Sequence, residues 1–108
     1  MLTQKSAIDI VRSFAREVND SGIALKRVIL FGSYASGKQH KWSDIDVALV
    51  SDEFESFGVR DGKLFVDIHI RKPFYDIQTK TYNTRDFDAA QNPVVEEILK
   101  TGIEINIS

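Results

Sequence analysis

Cysteine is missing from the 108 residues. Its absence excludes disulfides and thiolate-held zinc, and it restricts any metal to oxygen or imidazole ligands, with carboxylates the natural candidates. Long apolar runs are missing as well, so no segment offers the roughly 20 residues that a membrane-spanning helix needs. There is no strong excess of one charge either. The 14 basic and 16 acidic residues leave a formal net charge of −2. That argues against a broad grip on a nucleic-acid polymer and makes a nucleotide the better-suited ligand. MLTQKSAIDIVRSF lacks the basic, apolar and small-residue succession of a signal peptide, being interrupted by Asp9 and Arg12, and a cytoplasmic location is expected. Repeats, linkers and low-complexity stretches are absent. What remains, 43% apolar and 28% charged residues, is ordinary for a globular protein. The length suits one domain over residues 1–108, with any second lobe supplied by another chain.

Ala7, Val11, Phe14 and Val18 recur at helical spacing and predict an amphipathic helix from Thr3 to Asn19, ended by Ser21-Gly22. Val28-Ile29-Leu30-Phe31 is a short apolar run bounded by Gly32 and reads as a buried strand. Gly32-Ser33-Tyr34-Ala35-Ser36-Gly37 follows, with glycine at both ends, so the backbone turns sharply and starts at most a short helix. Asp44 to Val50 reads as a second strand. Its period of two puts Asp44, Asp46 and Ala48 on one face, and Ile45, Val47 and Leu49 on the other. The same alternation in Leu64 to Ile70 predicts a third strand, with Asp67 and His69 opposite the aliphatic face. Residues 72–91 carry Phe74, Tyr75, Tyr82 and Phe87 without a sustained period, and no element is assigned there. Asn92-Pro93 suits a helix start, Val94, Val95, Ile98 and Leu99 give it a stripe, and Gly102 stops it before a last strand, Ile103 to Ile107. The expected fold is α/β: a small mixed sheet with helices mainly on one face, and an acidic site at the ends of the second and third strands.

Alternate residues of a strand lie about 6.5 to 7 Å apart with parallel side chains, so Asp44 and Asp46 can share or bracket a divalent cation. Like charges on one face are destabilising unless a cation or donors neutralise them, and magnesium is the simplest neutraliser. Mg²⁺ prefers carboxylate oxygen and completes its shell with substrate phosphates, which implies a nucleoside triphosphate. The glycine turn ahead of the pair allows close backbone approach to phosphate oxygens. Ser33 adds a hydroxyl, and Ser43 and Lys38 join Gly32 and Ser33 as candidate nucleotide contacts. Each feature alone is weak; their order carries the inference. The plainer readings are a strand boundary for the aspartates, a tight turn for the glycines, an edge of the core for Trp42 and packing for His69.

GSYASGKQHKWSDIDVALV resembles the Gly-Ser then Asp-x-Asp signature of the DNA polymerase beta superfamily of nucleotidyltransferases, in particular its minimal branch. The resemblance implies two Mg²⁺ ions held by Asp44 and Asp46, with a third acid on a later strand that helps ligate the catalytic ion. Asp67 is the best match for that third acid, with Asp61 and Asp76 as alternatives. It further implies AMP transfer from ATP to a hydroxyl, a tyrosine of a HEPN-domain partner, as the antitoxin half of a toxin–antitoxin system. The sequence departs from the branch at Ser36, where many members carry arginine, leaving Lys38, His40 or Lys41 to supply that charge. Two other readings stand beside this one: transfer to a small molecule, and a noncatalytic subunit that neutralises its partner by contact. Homo-oligomers are compatible with all three.

Overall fold

The computed structural model describes residues 2–107. Thr3 caps the first helix, α1 (Gln4–Asp20), its hydroxyl accepting from the Ser6 amide at 3.0 Å, a type of cap that contributes about 1 kcal/mol. The chain continues as β1 (Leu25–Phe31), a single turn α2 (Ser33–Ser36), β2 (Ile45–Ser51) and two short helices, α3 (Gly58–Gly62) and α4 (Val66–His69). It closes with β3 (Ile77–Tyr82), a 3-10 turn (Thr84–Asp86), α5 (Pro93–Thr101) and β4 (Ile103–Glu104). Asn92 caps α5 by accepting from the Val94 amide at 2.9 Å, with Pro93 at the first helical position, where its missing N–H is not needed.

The four strands form one mixed sheet in the order β3-β2-β1-β4. β1 is antiparallel to both β2 and β4, while β2 and β3 run parallel. The alternation of β2 divides two cores. Ile45, Val47 and Leu49 pack with Val11, Phe14 and Val18 of α1. On the opposite face Ala48 and Val50 pack with Ile29, Tyr82 and the α5 residues Val95 and Ile98. Among the described residues no helix is long and apolar enough to cross a membrane.

The strand expected over Leu64 to Ile70 is instead a helical segment. Phe65 and Ile68 are buried and His69 half-buried, whereas Leu64, Val66 and Ile70 are each at least half exposed. The governing spacing is therefore three and four, not two, and a short apolar run satisfies both patterns on paper. The decisive contacts are tertiary. Phe65 stacks edge-on against Phe14 at 5.9 Å between centroids, and His69 packs on the same Phe14 ring at 5.3 Å. His69 Nε2 also donates to the Ile77 carbonyl at 2.6 Å. The real third strand lies in the stretch that carried no assignment, and the final strand is two residues long instead of five.

Candidate active site

β1 delivers the chain to Gly32 at φ 75° and ψ −152°, a region of backbone space that is essentially glycine's alone. A second constraint acts there. A Cβ on Gly32 would overlap Asp46 Oδ2, with the Asp46 carboxyl carbon only 3.2 Å away. Asp46 thus lies directly against the turn, as expected from the pairing of Phe31 with Asp46 across β1 and β2. Gly37, left-handed at φ 75°, ends α2. From below, the Gln4 amide donates to the carbonyls of Tyr34 and Ala35 at 2.9 and 3.2 Å, tying the turn to α1.

Asp44 sits one residue before β2, exposed, and Asp46 is half-buried. Burial raises the Asp46 pKa above the ordinary carboxylate value, the neighbouring Asp44 charge raises it further, and Lys80 offsets part of the rise. The structure therefore brings together Gly32, Ser33, Asp44 and Asp46. Lys38 is exposed beside them and, with Phe31, Gly32 and Ser36, lines a cleft of about 610 Å³ whose other wall is α5. Val94 and Glu97 belong to that wall. Ser43 is engaged elsewhere: its hydroxyl accepts from the His40 amide and its amide donates to the His40 carbonyl, both at 2.9 Å.

Asp67 is not brought to this group. It lies exposed on α4, and among the described residues no three His, Cys, Asp or Glu side chains come together as a metal site. Asp61 is buried but fully engaged, accepting from the Glu55 and Phe57 amides at 2.8 and 3.0 Å and from the Thr81 hydroxyl at 2.7 Å. Asp76 is exposed just before β3, and its carbonyl accepts from the Ile45 amide. The donor set therefore fits one divalent ion, on Asp44 and Asp46 with phosphates completing the shell, and does not fit a second ion at Asp67. His69 is a packing residue, held by Phe14 and the Ile77 carbonyl. Trp42 does not cover the core: it is 79% exposed, with the Lys41 ammonium 5.0 Å above its ring. Phe74 and Tyr82 are core residues, whereas Tyr75 faces solvent.

The position on β3 facing Asp46 is Gln78, with Lys80 two residues on. Sequence reasoning missed both, because β3 went unassigned. The alternation of Ile77, Thr79 and Thr81 with Gln78 and Lys80 was the available signal.

The sequence matches the nucleotidyltransferase domain family over residues 8–105. No protein of curated function matches it. Among solved structures the fold is similar to that of a candidate nucleotidyltransferase from Sulfolobus solfataricus, at 20% identity and a TM-score of 0.66, over 94% of this chain and 80% of the other. It is also similar to a toxin–antitoxin structure with AMP-PNP, at 19% identity and a TM-score of 0.60, over 90% of this chain and 73% of the other. A mutant of the toxin–antitoxin pair MntA–HpeT aligns at 19% identity and a TM-score of 0.56, over 99% of this chain and 75% of the other.

Proposed function

The chain belongs to the nucleotidyltransferase domain family, and we propose that it transfers a nucleoside monophosphate, AMP from ATP, to a hydroxyl of a partner protein and acts as an antitoxin. The observation that carries this reading is the seating of Asp46 against the Gly32 turn, with the Asp44 charge beside it. A carboxylate pair and a turn that only glycine readily makes meet at one point. Asp44 and Asp46 would hold Mg²⁺, which when bound supplies charge neutralisation and polarisation at the phosphates. The other residues bind and orient. Gly32 lets the Asp46 carboxylate sit against the turn, Ser33 offers a hydroxyl, and Lys38 offers an ammonium in the lining of the cleft. The cleft against α5 has the size of a small-molecule site, which suits the nucleoside.

The acceptor side rests on different support. Two of the similar structures described above are toxin–antitoxin structures, and one of them contains AMP-PNP. Phe57, Val59, Leu64, Val66 and Ile70 are all at least half exposed on or beside α3 and α4, as a partner-binding surface would be. The HEPN class of partner and a tyrosine acceptor follow from the resemblance of the motif. A second reading, a noncatalytic subunit that neutralises by contact, is favoured by one observation: Gln78 stands where a third carboxylate would complete the site.

Incubation with α-labelled ATP, Mg²⁺ and the product of the neighbouring gene, for which a HEPN-domain protein is the expectation, separates the two. Label on the partner, lost in Asp44→Ala and on chelation of the metal, is the expected result. An unlabelled partner that Asp44→Ala still inhibits would overturn the enzymatic reading in favour of the second.

A further inference from the structure

The open strip of the sheet beside Asp46 carries a specific departure from a two-ion site. In the parallel pairing of β2 with β3, Asp46 lies opposite Gln78 and Ala48 opposite Lys80, so Gln78 and Lys80 project from the same face as Asp46. Both are exposed. Adjacent strands are about 4.8 Å apart, which makes Gln78 the cross-strand position from which a carboxylate would join Asp46 on a shared metal. An amide there brings no charge. Lys80 is the diagonal neighbour, roughly 7–8 Å away along the sheet and within reach of a long side chain, and its charge is felt at Asp46.

Charge decides how many cations such a site holds. Two carboxylates and one ammonium leave a net charge of about −1, where three carboxylates would give about −3. Mg²⁺ is commonly bound through one or two carboxylates plus phosphate oxygens, so Asp44 and Asp46 suffice for one ion. A second ion would have to sit some 3.5–4 Å from the first, on ground that here offers an amide and an ammonium.

We propose that this site, on the nucleotide-binding reading above, takes its triphosphate with a single divalent cation on Asp44 and Asp46, and that Lys80 supplies positive charge where a second ion would sit. Gln78 and Lys80 together then set the metal stoichiometry of the site.

Equilibrium dialysis of the whole chain against Mn²⁺ and labelled AMP-PNP counts both ligands on the protein at once. The expected ratio is about one Mn²⁺ per bound nucleotide for the parent and for Lys80→Arg, rising to about two in the Gln78→Glu, Lys80→Ala double variant. Both positions are exposed on an edge strand, and circular dichroism checks that the variants stay folded. A parent ratio of two, or a folded double variant that stays at one, would overturn the inference while leaving the nucleotide site intact. Absence of any nucleotide on the parent would instead remove the nucleotide site, and this inference with it.

Discussion

The two faces of the sheet are built to different standards of closure. On the α1 face, Ile45, Val47 and Leu49 meet Val11, Phe14 and Val18, and none of these six is more than 1% exposed. On the other face, Val95 and Ile98 of α5 cover Ile29, Ala48 and Val50, but the strip formed by Asp46, Gln78 and Lys80 stays partly or fully open. Neighbouring residues of β2 thus differ in role: Ile45 and Val47 seal a core, while Asp46 between them stays half-buried at the open strip. Two aspartates show the same division. Asp61 is buried and receives three hydrogen bonds, so its burial is compensated locally. Asp46 responds to partial burial and to its like-charged neighbour with a raised pKa, a liability that a bound cation removes.

The sharpest way to break this contrast is to open the closed face. Phe14 touches Phe65, Phe74 and His69 and is fully buried. Phe14→Ala should cost about 3–5 kcal/mol in urea denaturation, while any molecules that remain folded keep their affinity for AMP-PNP. A nucleotide site that failed together with the core would show that the two faces are not separable.

Gly32→Ala tests the junction between the faces. The substitution forces a side chain into a left-handed backbone and against Asp46, a strain of roughly 1–3 kcal/mol. Nucleotide affinity should fall by more than about tenfold, because the turn and the carboxylate cannot both keep their places. A variant of parental stability and affinity would mean that the turn yields easily and that its geometry is incidental.

Much of this junction was legible in the sequence. The apolar run to Phe31, the glycine turn and the alternation from Asp44 to Val50 each depend on short-range pattern, and β1 and β2 fall within a few residues of the expected limits. The cap at Asn92 was legible for the same reason, since capping is local chemistry, and the first helix begins one residue after its expected start at Thr3, which caps it instead. Residues 64–82 were not. Leu64-Phe65-Val66-Asp67-Ile68-His69-Ile70 satisfies a period of two, and only the contacts of Phe65 and His69 with Phe14, across some fifty residues, make it helical. The misplaced strand carried Asp67 with it as the third acid. Gln78 and Lys80 became visible only once the pairing with β2 was known.

Asp46→Asn gives the smallest stability effect and the finest test of the open face. Folding holds the Asp46 proton to higher pH than the unfolded chain does. Stability from this group is therefore fully present below the ordinary aspartate pKa and is lost as pH rises through the raised value. The asparagine side chain cannot titrate, so the variant should gain on the parent across that window and hold a constant lead above it. Asp46 remains partly solvated, which keeps the lead under about 1 kcal/mol. Mn²⁺ and AMP-PNP binding should weaken at least about tenfold in the same variant, because one of two carboxylate ligands is gone. Denaturation midpoints from the acid range to neutrality, read beside the binding curves, check both halves. An Asp46→Asn variant less stable than its parent at neutral pH would mean that native contacts favour the Asp46 carboxylate, and that this face is built like the closed one.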